Sequence, residues 1–224
     1  STALNVIAEK TGVDRDSLYN KSNFFGHYVD MCGIRLEKDI PQNSRIITSD
    51  DVFDYMLNIR YLNEGIDQKR EELFDEFLEL KYSHFQVKSI ADYEQLKKVN
   101  TARSKTQSRY VRKHLMDNVR EYSNGESAFM YFTEKIQENG LYLLDEPENS
   151  LSPKLQIELM KFIEDSARFF DCQFIISTHS PFLLAMNGAK IYDLDENPVD
   201  VKRWTELENV RIYYDFFKKY GGDF

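Results

Sequence analysis

Cysteine is nearly missing from this chain: Cys32 and Cys172 are the only two in 224 residues, and neither sits in a C-x-x-C pair or a Cys/His cluster. That excludes a disulfide scaffold and a paired-cysteine zinc site, and it fits a reducing cytosol. There is no run of eighteen or more apolar residues and no basic-then-apolar leader, so neither a membrane span nor a signal peptide is expected. The expected compartment is the cytoplasm. Positive charge is also in deficit. A formal net charge of -9 argues against a protein that coats nucleic acid by bulk charge, while leaving room for a local basic patch. No internal repeat or low-complexity tract is present, and 42% hydrophobic content at this length supports one well-buried core or two small ones.

What is there falls into three parts. Residues 1–50 combine a helix with loops: Leu4, Ile7 and Ala8 recur at helical spacing and Gly12 follows them as a stop, while Arg45 to Thr48 reads as a strand. Residues 51–120 read as a helical insertion. Met56, Leu57, Tyr61 and Leu62 share one face; Leu73, Phe74, Phe77 and Leu78 share another; Val111, Leu115 and Val119 follow. Residues 121–224 alternate strand and helix, with strands at 141–144, 173–177 and 190–195 and helices over 153–170, from Pro181, and at 210–220. Such alternation predicts an α/β fold, a parallel sheet with helices on its faces.

Two of these strands end in reactive side chains. Leu141-Tyr-Leu-Leu-Asp-Glu-Pro-Glu148 runs four apolar residues into two carboxylates, and Pro147 cannot continue a strand ladder. A carboxylate at such an end suits a magnesium ion, and its neighbour suits the polarisation of a water. An isolated Asp-Glu pair is ordinarily a solvated turn; the apolar run and the proline make the difference here. Phe174-Ile-Ile-Ser-Thr-His-Ser-Pro181 has the same plan. His179 follows an apolar strand, lies between Thr178 and Ser180, and precedes Pro181, which suits a first helical turn. The other histidines, His27, His84 and His114, read as surface or packing residues. In open α/β sheets ligands bind at the carboxyl ends of the strands, so Asp145, Glu146 and His179 are expected around one site.

These segments resemble the ABC-type ATPases, on the side of the SMC and RecF-like proteins and the small stand-alone AAA-family ATPases related to them. In those families the first segment is the Walker B motif and the second a switch whose histidine meets the γ-phosphate. The resemblance implies Asp145 as the magnesium-associated carboxylate, Glu146 as the catalytic base and His179 as the sensor of intact nucleotide. Asn149 to Pro153 falls at the D-loop, a dimer-contact turn, with Ser152 where transporter ATPases usually carry aspartate. Tyr122-Ser-Asn-Gly-Glu-Ser127 resembles the signature segment, with Ser123, Gly125 and Glu126 at its serine, second glycine and glutamine and Asn124 in place of the first glycine. Read physically, it is a turn before a helix over 127–137 that offers N–H groups to phosphate, or simply a helix cap. In the family it covers nucleotide bound by the partner subunit, which implies a homodimer around ATP and Mg²⁺.

One element of such a site is not in the sequence: no G-x-x-x-x-G-K-S/T loop occurs. Ser1 and Thr2, followed at once by an apolar helix, read either as an ordinary helix cap or, beside the other motifs of the resemblance, as the last position of that loop and its neighbour. Under the second reading the strand and glycine loop lie upstream, and Ser1 supplies a nucleotide- and magnesium-binding hydroxyl. No Q-loop glutamine is assigned, since the strand at 45–48 ends in Thr48, Ser49 and Asp50.

Within 97–120, Lys97, Lys98, Arg103, Lys105, Arg109, Arg112, Lys113 and Arg120 face only Asp117. Such a run is ordinarily a solvated helix face; it could also meet DNA or an acidic protein partner. The helical insertion is too short and too irregular in heptads for a long SMC arm. The expectation is therefore a compact ATP-binding and ATP-hydrolysing switch of the kind used in DNA repair or anti-phage defence. The alternatives are a regulatory nucleotide-binding module with little turnover, or the ATP-binding subunit of a transporter.

Overall fold

The computed structural model describes residues 2–17, 22–85, 92–115 and 123–223, apart from the side chains of 112–114. The chain divides into two compact units, one of residues 1–55 and 122–224 and another of residues 56–121.

The first unit is α/β. Its helix α1 (Thr2–Thr11) ends where Gly12 takes a φ of +67°, a conformation that glycine adopts without a Cβ penalty. Short β1 (Asp14–Arg15) follows, then α2 (Phe25–Met31) and β2 (Arg45–Thr48). Further along come α6 (Asn124–Lys135), β3 (Leu141–Asp145), α7 (Pro153–Phe169), β4 (Gln173–Ser177) and a single turn α8 (Pro181–Leu184). The strands form one parallel sheet in the order β1-β2-β3-β4. β3 is its buried axis: Leu141, Tyr142, Leu143 and Leu144 are 0–6% exposed, and burying side chains of that size contributes about 1.5–3 kcal/mol each. A strand covered on both faces reads as an unbroken apolar run, which is why this one was legible. α1 places Leu4 and Ala8 against Ile46, Leu141 and Leu143, with Ile7 and Ile175 packed beside them.

Register decides where the chemistry falls. Thr48 pairs with Asp145, and Asp145 with Ser177, so the last residues of β2, β3 and β4 form one row at the carboxyl edge of the sheet. Thr48 also begins α3 (Ser49–Tyr82): its N–H and hydroxyl donate to the Asp51 carboxylate at 2.7 and 2.8 Å. That is a helix cap, and it accounts for the polar end of β2 without a glutamine.

Three expectations change in detail. The strand predicted at 190–195 is β5 (Ile191–Asp193), and it pairs antiparallel with β6 (Asp200–Lys202) in a separate two-stranded sheet. The helix predicted over 127–137 starts earlier, at Asn124, because Ser123 and Glu126 complete a capping box. The closing helix is α9 (Glu208–Lys219), of which only Val210 is buried; Ile212, Tyr213, Phe216 and Phe217 are exposed.

The second unit is helical, with the rest of α3, α4 (Tyr93–Ser104) and α5 (Gln107–His114). Leu73, Phe77, Leu80, Val99, Ala102, Tyr110 and Val111 make its core, with Phe74 and Leu115 packed against them. The predicted face at Met56 to Leu62 is only half used: Met56 is buried, whereas Tyr61 and Leu62 are exposed.

Candidate functional site at the carboxyl edge of the sheet

β3 ends at Asp145, and Glu146 takes a φ of 49°, in the left-handed region that a non-glycine residue enters at a cost. The following Pro147 narrows the choices open to Glu146 further. What over-determines this turn is a set of hydrogen bonds. The Glu146 N–H donates to the Ser177 carbonyl at 2.9 Å, continuing the β3–β4 ladder by one step. The Asn149 N–H donates to the Glu146 carbonyl at 3.0 Å, and Asn149 Nδ2 donates to Glu146 Oε2 at 2.9 Å.

The second strand end arrives from the same side. His179 follows β4 with its imidazole 80% exposed, and its Nε2 lies 4.0 Å from Glu146 Oε1. The turn that carries it is tied to the Glu146 loop. Glu148 Oε1 accepts the N–H of His179 at 2.7 Å and that of Ser180 at 3.1 Å. Ser180 Oγ donates to Gln156 Oε1 at 2.7 Å, Gln156 Nε2 donates to the Leu151 carbonyl at 2.9 Å, and Asn209 Nδ2 donates to the His179 carbonyl at 3.2 Å.

Asp145 is half-buried, and burial is the largest cause pushing its carboxyl above the ordinary 3.8; the neighbouring Glu146 charge adds to this, while a hydrogen bond with Ser177 and the charge of Arg15 oppose it. Asp145 is a carboxylate whose negative charge burial disfavours, and with the Glu146 carboxylate next to it in the chain it makes an oxygen donor set suited to a hard divalent cation. Magnesium therefore fits Asp145, with Glu146 beside it.

The signature-like turn is built differently from a simple phosphate cradle. Ser123 Oγ and the Ser123 N–H both donate to Glu126 Oε2 at 2.9 Å, and the Glu126 N–H donates back to Ser123 Oγ at 3.3 Å. Both side chains are thus engaged with each other at the start of α6. Gly125 lies against the loop after β3: a Cβ there would stand 2.8 Å from Leu155 Cδ1 and 3.1 Å from the Ser150 carbonyl oxygen. Ser150 itself has a φ of 97°, and Ser152 caps α7.

The structure thus brings together Asp145, Glu146 and His179, and separately packs Ser123–Glu126 on the 150–155 stretch. Thr2 is exposed on the first turn of α1, with no hydrogen bond to the other candidates among the described residues. Ser1, Arg120 and the side chains of Arg112 and Lys113 lie outside the described residues. Of the remaining basic residues, Lys98 pairs with Glu76 at 3.6 Å and Arg103 donates to the Ser83 carbonyl at 2.6 Å, while Lys97 and Arg109 are exposed. The parts sequence reasoning missed are Glu148 as a ligand of the His179 turn, Gln156 and Asn209. Their partners lie 24 to 32 positions away or on the main chain, where no spacing rule reaches.

Residues 118–185 match the family described as "AAA domain, putative AbiEii toxin, Type IV TA system". The match takes in the signature-like turn, both strand ends and α7, and it supports an AAA-type P-loop ATPase domain over that stretch. No curated protein matches the chain.

Proposed function

We propose that this chain is an ATP-binding and ATP-hydrolysing switch that works as a nucleotide-sandwich homodimer. The observation that carries the reading is the meeting of Asp145, Glu146 and His179 at the ends of two neighbouring parallel strands, with the His179 imidazole 4.0 Å from a Glu146 carboxylate held in a strained turn. In this reading Asp145 holds Mg²⁺, Glu146 takes a proton from the attacking water, and His179 meets the γ-phosphate. Bound magnesium would offset the charge of the phosphates as they separate. In the same reading the turn of Ser123, Gly125 and Glu126 would bring the positive end of α6 towards nucleotide held by the second copy.

A glycine loop upstream, closing on Ser1 and Thr2, would complete the pocket. Two observations support it: α1 lies against β3 and β4, and β4 is an outer strand of the described sheet with Ile175 and Ile176 partly exposed. The description of the matching family names a "putative AbiEii toxin, Type IV TA system" and not a DNA-repair protein. No helix among the described residues is long and apolar enough to cross a membrane. The exposed Lys97 and Arg109 leave a DNA partner open to a salt-dependent binding test with Arg109, Arg112 and Lys113 neutralised.

The deciding variant is Glu146→Gln in the intact protein. The expected result is retained ATP binding, turnover lowered by about 10²–10⁴-fold, as loss of a general base implies, and an ATP-dependent dimer seen by light scattering. Unchanged hydrolysis would sink the reading. Nucleotide binding with no turnover in the unaltered protein would favour the regulatory module instead.

A further inference from the structure

We infer that Glu148 is a positioning residue that holds His179 in register with Glu146. The inference rests on the reading of those two groups as the reacting pair. Glu148 Oε1 accepts two consecutive main-chain N–H groups, those of His179 at 2.7 Å and Ser180 at 3.1 Å. Its other oxygen is buried without a hydrogen-bond partner. A buried carboxylate oxygen left unsatisfied is costly, so a side chain kept in this state is being used for what its first oxygen does.

Helix capping does not explain the contact. The N–H groups of Phe182 and Leu183, at the start of α8, are already taken by Ser180 Oγ at 3.2 and 3.3 Å. Those that Glu148 takes lie ahead of the helix, on the residue that carries the imidazole and the one after it. The His179 peptide is also held at its other end, where Asn209 Nδ2 donates to the carbonyl. With Gln156 linking Ser180 to the Leu151 carbonyl, the loop from Glu146 to Leu151 and the turn from Thr178 to Pro181 are joined by two side chains. The Leu151 N–H donates to the Glu148 carbonyl at 2.9 Å, so a shift of the loop that packs on Gly125 would be passed to the imidazole through Glu148. Glu148 thus couples the loop beside the signature-like turn to the distance between His179 and Glu146.

The test is a double-mutant cycle on steady-state ATP hydrolysis in the intact protein, with thermal melting as a check on folding. Glu148→Ala should lower kcat by about ten- to a hundredfold, the scale of a small misplacement of a reacting group, with the KM for ATP moving by no more than about twofold. In a His179→Ala background the same change should add almost nothing, because the group it positions is gone. Glu148→Gln, whose amide oxygen can still accept both N–H groups, should recover most of the lost kcat. Additive losses, or a glutamine variant as slow as the alanine one, would overturn the inference while leaving the site reading intact. If His179→Ala alone leaves kcat unchanged, it is the reading of the site that fails.

Discussion

The main-chain N–H of Glu146 donates to the carbonyl of Ser177 at 2.9 Å, one step beyond the last paired residues of β3 and β4. That bond carries the strand ladder into the turn and, with the two that Asn149 donates to Glu146, holds Glu146 at its φ of 49°. A left-handed conformation costs a non-glycine residue about 1–2 kcal/mol, and glycine would escape that cost while losing about 0.5–1 kcal/mol to its greater freedom when unfolded. Glu146→Gly should therefore unfold at a denaturant concentration equal to or above that of the unaltered protein while losing its turnover. A clear drop in the denaturation midpoint would show that the turn is not strained.

How far this site could be read in advance follows from where each contact is made. Asp145, Glu146 and His179 stand at the ends of apolar strands, and periodicity with a proline locates such ends in sequence. The parallel sheet was legible for the same reason, since Leu141 to Leu144 form one unbroken apolar run. β1 has two residues and no pattern to detect, and nothing local could tell that β5 leaves the sheet to pair with β6. Tyr61, Leu62 and the aromatic residues of α9 follow helical spacing yet remain exposed, because spacing gives a face without its partner. Ser123 and Glu126 carried two readings at once; the capping box engages both side chains and the N–H groups of both residues.

Asp145 offers a test of the metal that does not depend on turnover. Burial leads the causes that raise its carboxyl above the ordinary 3.8, so near neutral pH the ionised side chain is a cost the fold carries. Asp145→Asn removes that cost. Without magnesium the variant should melt at or above the temperature of the unaltered protein. With Mg²⁺ and ATP only the unaltered protein should gain, by about 2.7 kcal/mol at a hundred times the dissociation constant. An equal gain in both would remove Asp145 from the metal site; a thermal shift series over magnesium concentration reads the difference.

Gly125 links the signature-like turn to the loop after β3 by contact alone. A methyl group there meets Leu155 Cδ1, a side-chain end that can move, and the Ser150 carbonyl at 3.1 Å, which must yield slightly. Gly125→Ala should consequently be mild. Gly125→Val adds bulk against a main-chain atom and should cost about 1–3 kcal/mol, the usual range for overpacking. Chemical denaturation of the two variants measures the contrast; equal, negligible costs would mean the two loops are not in firm contact.

Asp16 ties β1 to its neighbours, and its pH dependence has a defined sign. The hydrogen bond from Lys135, at 2.7 Å, is the main cause holding its carboxyl below the ordinary 3.8; Arg45 at 3.4 Å and the Tyr131 hydroxyl at 3.3 Å act the same way, and burial opposes them. A depressed carboxyl binds its proton less readily in the folded state than in the unfolded one. Its stabilisation is therefore complete above 3.8 and is lost as the pH falls below 3.8 through the folded value. The side chain is 46% exposed, so solvent screens these ion pairs and their worth is that of surface pairs. Asp16→Asn should cost about 0.5–1 kcal/mol near neutral pH, less at high salt, and the gap between variant and unaltered protein should close in the acid range. Urea denaturation midpoints measured across that range test it, and a gap that widens on acidification would show that Lys135 and Arg45 are not what holds Asp16.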